Sequence, residues 1–203
     1  MKHQFLTTTI FFVSAIFASS LAKADGGLFI EPGVRYETLT GTVSYPSPLG
    51  SSDVTSKGFG VSAKLGFEVL DAVFLALDAT YGQPTLNINN GGYNASGPAY
   101  SYGPTVGIQM PVVGLRVWGT YIAGGEYDPA SSGSLDLKFK DLRGYRVGVG
   151  FHIAVVSLNL EYEDAKYGTS ELQQIGPFAG GSFSSVDMTN RGWILGVSFP
   201  VSL

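Results

Sequence analysis

Hydrophobic and polar residues alternate along most of this chain, and the alternation divides it into eight runs. In the second run, for example, Phe59, Val61 and Ala63 alternate with small or polar residues. A period of two residues predicts β-strands, because successive side chains of a strand point to opposite faces of a sheet. None of the runs has a helical period of 3.6 residues. The predicted strands cover approximately 28–39, 57–69, 72–83, 99–110, 115–124, 137–153, 156–166 and 188–203.

The connections between these runs are short and long in turn. Residues 70–71, 111–114 and 154–155 are short connections, whereas 40–56, 84–98, 125–136 and 167–187 are long and rich in Gly, Ser, Asn and Pro. This asymmetry is typical of transmembrane β-barrels, which have short periplasmic turns and long extracellular loops. An even number of strands then places both chain ends at the short-turn end.

The polar side of the strands indicates which face is the inside. It consists mostly of Gly, Ser, Thr and Asn, with an isolated charge on most strands. Such a mixture suits a narrow barrel lumen, because small residues leave room for a few large charged ones. We therefore predict an all-β, eight-stranded, antiparallel up-and-down transmembrane barrel over residues 25–203. A secreted β-sandwich, in which the apolar rows would face a second sheet, is the alternative.

The N-terminal residues have the three parts of a secretory signal peptide. Lys2 and His3 give a basic start, residues 10–18 are largely apolar, and Ala22-Lys23-Ala24 is a cleavage site of the A-x-A type. We expect residues 1–24 to be removed. The apolar stretch is shorter than the ~20 residues that a helix needs to span a bilayer.

The composition excludes several classes of function. The chain has no cysteine, so disulfides, thiolate metal sites and cysteine nucleophiles are ruled out. Its formal net charge of −4 argues against nucleic-acid binding, which needs clustered Lys and Arg. Charged residues make up 14% of the chain, against roughly 25% in soluble domains.

With its signal peptide, eight amphipathic strands and alternating connections, the sequence resembles the small bacterial outer-membrane barrels of the OmpA-transmembrane-domain, OmpX and opacity-protein group. The resemblance covers residues 27–203 and implies a location in the bacterial outer membrane. It also implies that the last strand is recognised by the barrel-assembly machinery through an aromatic final residue and the apolar residues two and four before it. Phe199 and Val201 fit the preceding places, while Leu203 replaces the aromatic residue. The expected partners are outer-membrane lipid and lipopolysaccharide, with the protein a monomer.

The main candidate site is a set of charged residues that share the inward parity. Unpaired charge is penalised inside a lipid-surrounded lumen, so these residues are expected to form a plug of salt bridges. The alternative is an ion pathway in which acids and bases exchange partners. The set comprises Glu31, Arg35, Glu37, Lys64, Glu68, Asp78, Arg116, Arg146, His152, Glu161 and Glu163.

These patterns favour a non-enzymatic outer-membrane protein with a structural or adhesive role; the alternatives are a narrow channel and a lipid-modifying enzyme. An enzyme of that kind would pair a histidine with a serine. His152 is the only histidine outside residues 1–24. Ser157 follows it across a tight turn, and we expect the two side chains not to face each other. No catalytic residue, metal ligand or cofactor is therefore predicted. A separate hypothesis is that Lys138, Lys140 and Arg143 contact lipopolysaccharide phosphate.

Overall fold

Eight antiparallel strands form a closed ring. The computed structural model describes residues 27–44, 50–69, 72–88, 92–110, 112–132, 135–175, 178–183 and 187–203; the predicted signal peptide lies outside these residues. Each long strand pairs with the next along the chain, and β1 pairs with both β2 and β12, which closes the barrel. The strands are β1 (Leu28–Ser44), β2 (Ser51–Val69), β3 (Val73–Gly82), β4 (Thr85–Ile88), β5 (Tyr93–Ser96), β6 (Ala99–Met110), β7 (Leu115–Ile122), β8 (Gly124–Tyr127), β9 (Leu135–Ile153), β10 (Val156–Ile175), β11 (Phe178–Phe183), β12 (Asp187–Ser198) and β13 (Val201–Ser202).

The ring itself is made of β1, β2, β3, β6, β7, β9, β10 and β12, which correspond to the eight predicted strands. The two ends of the barrel sequence meet, since the Leu203 amide donates to the Leu28 carbonyl over 2.8 Å. The eight-stranded antiparallel prediction is thus confirmed. No described helix is long and apolar enough to cross a membrane.

Large apolar side chains cover the outside of the ring. On β2, Phe59, Val61, Leu65, Phe67 and Val69 are all exposed. At ~3.4 Å per residue and a strand tilt of 35–45°, this stretch spans about 25 Å, the height of the lipid-facing band of an outer-membrane barrel. Exposed aromatic residues form a girdle at its upper edge, on neighbouring strands: Tyr36 beside Phe59, Tyr81 beside Tyr100, and Tyr121 beside Tyr145.

Above the girdle the barrel continues as paired strands. The sequence predicted long loops there, because Gly, Ser, Asn and Pro favour turns. Instead β1, β2, β9 and β10 extend well past the girdle, and β4, β5, β8 and β11 lie within the predicted connections. A core of buried apolar residues fills this extension and supports its pairing; it comprises Val43, Val54, Leu86, Ile88, Tyr93, Ala95, Ile122, Tyr127, Phe139, Leu142, Ala165, Tyr167 and Met188, and we call it the cap.

Strand β9 changes the face that it turns inward at Asp141. The backbone there has a φ of 59°, a left-handed conformation that Asp tolerates better than most residues. Below this point Leu142 and Arg146 are buried, whereas above it Phe139 is buried and Lys138 and Lys140 are only partly covered. The change therefore directs an aromatic residue into the cap and both lysines outward.

The last predicted strand is interrupted. Ladder pairing with β1 is interrupted between Ser198 and Val201, because Pro32, which lies opposite Phe199, has no amide hydrogen to donate; the Phe199 amide still donates to the Pro32 carbonyl over 2.9 Å. The predicted unbroken run of 188–203 was therefore wrong at Phe199–Pro200. Of the predicted assembly signal, Phe199 is partly buried, Val201 is buried and Leu203 is exposed.

Candidate functional site: the ion-paired lumen

The predicted charged residues lie on the inner face of the ring. Eight of them are buried, namely Glu31, Arg35, Lys64, Asp78, Arg116, Arg146, Glu161 and Glu163. The other three, Glu37, Glu68 and His152, are partly covered. Inward-pointing positions of neighbouring strands lie side by side, so most of these charges meet an opposite charge.

Arg146 is the hub of the lumen. Its guanidinium, 1% exposed, donates hydrogen bonds to Asp78 over 3.1 Å and to Glu163 over 2.8 Å. It also donates to the Ser101 hydroxyl over 3.2 Å, and its Nε lies 3.9 Å from Glu161. One cation therefore links three carboxylates on two sides of the barrel.

Lys64 connects the same carboxylates to the indole of Trp118. Its ammonium lies 3.3 Å from Asp78 and 3.8 Å from Glu161. The Trp118 indole nitrogen donates to Glu161 over 2.9 Å, and the ammonium stands 5.2 Å from the ring centroid. Glycines make room for this ring, because a Cβ at Gly148 would come within 2.4 Å of it.

A second group of polar contacts occupies the lower lumen. Arg116 donates to Glu31 over 2.7 Å, and Ser198 donates to the other Glu31 oxygen over 2.6 Å. The Arg116 guanidinium also stacks 4.8 Å above the centroid of Phe74. Phe74 belongs to an apolar floor that closes the short-turn end, together with Phe29, Ala76 and Trp118.

Arg35 is the least satisfied of the buried cations. It bonds Glu37 over 3.3 Å and lies 4.0 Å from Glu163. Its Nε and Nη1 are buried without a hydrogen-bond partner in the described chain. They border a cavity of about 40 Å³ between the ion pairs and the cap. That volume holds only a few water molecules, far fewer than a continuous aqueous path requires.

Two predicted members of the set behave differently. Glu68, near the short-turn rim, makes no ion pair with another described residue. His152 has no carboxylate partner among the described ion pairs; its Nδ1 lies 3.0 Å from the Ser157 hydroxyl. The expectation that Ser157 would not face His152 was wrong, because a two-residue turn makes them direct partners across β9 and β10. Ser157 is 0% exposed, so its hydroxyl is shielded from outside molecules.

The three predicted lipopolysaccharide contacts are not equivalent. Lys138 lies 2.6 Å from Glu126 and 3.0 Å from Asp128, and Lys140 lies 2.8 Å from Glu171. The hydrogen bonds that the Lys138 ammonium donates to Glu126 and Asp128 raise its pKa. Arg143 is exposed and makes no ion pair with any residue that the structure describes.

The alternation of the sequence did not reveal the polar partners that complete the lumen. Trp118 shares the parity of Arg116, and this departure from alternation was the signal that its ring faces inward. Ser101 and Ser198 lie on the small-residue rows, where the pattern predicts space and does not single out hydrogen-bond donors or acceptors.

Comparisons with known proteins give structural neighbours only. No protein-family model matches the sequence, and neither does any curated protein. The chain is similar to Neisserial surface protein A, with 16% identity, a TM-score of 0.42, and coverage of 87% of this chain and 99% of that one. It is also similar to the outer membrane protein OprG from Pseudomonas aeruginosa, with 12% identity, a TM-score of 0.47 and coverage of 87% and 97%. For an outer membrane channel from Pseudomonas putida F1 the identity is 8%, the TM-score 0.32 and the coverage 90% and 97%.

Three features of the structure indicate where this protein resides, independently of these neighbours. They are the closed ring, its apolar outer surface and its charged interior. Only helices and closed barrels satisfy every backbone polar group within a bilayer, and lipid-facing barrels belong to outer membranes. The chain is an integral β-barrel of the bacterial outer membrane.

Proposed function

We propose that this protein is a non-conducting, non-enzymatic barrel that presents a rigid β-structured extension at the cell surface. The observation that carries the proposal is the filling of the lumen in three layers. An apolar floor closes the short-turn end, ion pairs fill the middle, and the apolar cap closes the outer end. A channel needs a continuous polar path, and the cap interrupts it.

A surface-interaction role is supported by the outer face of the extension. A polar groove of about 540 Å³ runs over β1, β2 and β12 there, lined by Thr40, Thr42, Asp53, Thr55 and Thr189 among others. Its volume is within the range of ~300–1,000 Å³ found for ligand pockets. Because the strands are paired beneath it, this surface is preorganised, which lowers the entropic cost of binding.

Conductance measurements test the closed lumen. The full chain reconstituted in planar bilayers should give no stable current steps, while a general porin in the same bilayers should give them. Stable steps that change when Glu163→Gln is introduced into the lumen would overturn the proposal in favour of the narrow channel.

The non-enzymatic part has its own test, since the His152–Ser157 hydrogen bond is the kind of pair a hydrolase uses. Phospholipid or lipid A should remain intact with the purified protein in detergent. Hydrolysis that disappears in both His152→Ala and Ser157→Ala variants would make the protein an enzyme.

Cell-binding assays address the surface role. Cells that display the protein should aggregate or adhere more than cells that display Asp53→Ala/Thr55→Ala, with Ser51→Ala outside the groove as the matched control. If cells that display the unsubstituted protein, the double variant and the Ser51→Ala control all adhere equally, the groove has no part in adhesion.

A further inference from the structure

The groove of about 540 Å³ lies on the outer side of the cap, where β2, β1 and β12 are neighbours in the ring. Val43, Val54 and Met188 point inward from these three strands and are buried in the cap. Because successive side chains of a strand point to opposite faces, the residues that alternate with them point outward. The outward residues that line the groove are Thr40, Thr42, Asp53, Thr55, Thr189 and Arg191.

Strand register brings these outward residues together. Thr55, Thr40 and Arg191 are direct partners across the three strands, and in the next row Asp53 is the partner of Thr42. Asp53 and Arg191 are thus separated by two strand spacings and by two residues along the strands. Their Cα atoms therefore lie about 12 Å apart, so the two charges stand at opposite ends of the groove.

The floor of the groove is formed by backbone. A Cβ at Gly41 would collide with the Thr189 carbonyl, so only glycine allows β1 and β12 to approach so closely. Their regular pairing is interrupted there, between Thr40 and Val43. Instead the Thr42 amide donates to the Thr189 hydroxyl over 3.1 Å, and the two hydroxyls lie 3.2 Å apart. These contacts fix the depression, which therefore does not depend on the conformations of exposed side chains.

The groove offers both kinds of hydrogen-bonding group and a balanced charge. The Asp53 carboxylate accepts, the Arg191 guanidinium donates, and the threonine hydroxyls do both. Asp53 and Arg191 are exposed, and neither forms an ion pair with another residue that the structure describes. Because their charges cancel, the groove does not favour a ligand with a net charge.

The lining also lacks an apolar anchor among the described residues. Val54 is the one apolar residue that borders the groove, and its side chain is only 2% exposed. The centre of a protein–protein interface is usually apolar, which this surface is not. The polar face continues onto β4 and β5, where Asn87 is the register partner of Thr55 and Asn94 that of Asn87. Such a face suits a ligand that consists largely of hydroxyl groups.

We infer that this groove binds an uncharged oligosaccharide, whose hydroxyls are held by Asp53, Arg191 and the threonines. Sugar hydroxyls both donate and accept hydrogen bonds, which matches the mixed set of groups in the groove. The distance between the two charged ends exceeds one sugar ring, so the ligand is a short chain of sugars. This inference deepens the proposed function and rests on it, since it concerns the same groove.

Isothermal titration calorimetry of the purified full chain tests the assignment. The protein is kept in lauryldimethylamine oxide, because maltoside and glucoside detergents would themselves offer sugars to the groove. The probes are four soluble tetrasaccharides: maltotetraose, cellotetraose, mannotetraose and lacto-N-tetraose. At least one of them should bind with a dissociation constant on the order of 1 mM or lower. No binding of any of the four would overturn the inference.

A double variant that leaves the net charge unchanged locates the site. Asp53→Asn/Arg191→Gln should weaken binding about tenfold or more, because hydrogen bonds to charged groups are among the strongest. The matched control Asp141→Asn/Arg143→Gln removes an exposed acid and an exposed arginine from β9 and should stay within about twofold. Asn tolerates the positive φ at position 141. Equal affinities of the two double variants would refute the site.

Deleting a hydroxyl supplies a second arm. Thr55→Val replaces the hydroxyl with a methyl group and keeps a residue that favours strands, so it should weaken binding severalfold without unfolding the barrel. Thr38→Val is the control, because Thr38 also points outward on β1 but does not line the groove. Heat-modifiable gel migration shows that both variants fold. Equal affinities of these two variants would exclude the threonines and with them the saccharide.

Competition in the cell-binding assay separates this inference from the proposed function. A tetrasaccharide that binds the purified protein should inhibit the adhesion of cells that display it. Adhesion that requires Asp53 and Thr55 but persists in saturating saccharide indicates a protein partner; the inference then fails and the surface role stands. Saccharide binding by the purified protein without any adhesion has the opposite meaning, since the inference then stands and the adhesive role is lost.

Discussion

Replacing Arg146 with methionine is the most direct perturbation of the lumen. Methionine keeps much of the side-chain length but removes the cation that Asp78, Glu161 and Glu163 share. The hydrogen bonds to Asp78 and Glu163 are charge-assisted, each worth about 1.5–3 kcal/mol. Removing one partner of a buried pair leaves carboxylates without a counterion and typically costs ~3–5 kcal/mol. We expect Arg146→Met to lower the free energy of unfolding by about 4 kcal/mol.

Reversible urea unfolding in detergent micelles measures this loss, with tryptophan fluorescence and gel migration as two independent probes. Arg143→Met is the matched control, because Arg143 lies on the same strand but is exposed, and it should change stability by less than ~0.5 kcal/mol. Adding Glu163→Gln to Arg146→Met should recover about 1–2 kcal/mol of the lost unfolding free energy, since one carboxylate without a counterion is removed. If Arg146→Met costs no more than Arg143→Met, the lumen is hydrated enough to solvate its carboxylates, and the closed-lumen reasoning is refuted.

Two further predictions concern the packing of the interior and the cap. Gly107→Val should cost about 1–3 kcal/mol, because a Cβ there would lie 2.3 Å from the buried Phe74 ring and 2.8 Å from the Val117 carbonyl. Gly119→Val, where no atom lies within 4 Å of the added Cβ, should be close to neutral in the same urea assay; similar costs would contradict the packed floor. In the cap, burial raises the pKa of the Tyr93 phenol to about 12 from its ordinary 10.0. Its contribution to stability should be complete below pH 10 and disappear as the pH rises to about 12, because the unfolded chain ionises first. Tyr93→Phe, which also removes the 2.9 Å hydrogen bond to the Ala130 carbonyl, should reduce that pH dependence without abolishing it, because burial also raises the pKa of Tyr127 and Tyr167. An unchanged profile would assign the dependence to groups other than Tyr93.

The strands of the membrane band were predictable because lipid imposes a simple rule on them. A residue that faces acyl chains must be apolar, and its neighbours along the strand face the lumen. The sequence of each strand therefore alternates with a period of two residues. The same rule identified the charged inward residues, whose isolated charges have no place on a lipid-facing surface. The inward orientation of Trp118 was visible only as a departure from the alternation around Arg116.

The extension above the membrane follows no such rule, since water surrounds it and its composition favours turns. Its strands form because each pairs with a neighbour and buries part of the cap, and neither contact is a property of a local segment. The reversal of faces at Asp141 likewise depends on a single backbone angle.

The sequence alone therefore determined the number of strands, their inward and outward rows and the short-turn end, because each of these follows from the local period of the chain. Tertiary structure decided which cation meets which carboxylate and that Ser157 faces His152. These depend on strand register and on ring closure, which bring together residues as distant in sequence as Glu31 and Arg116.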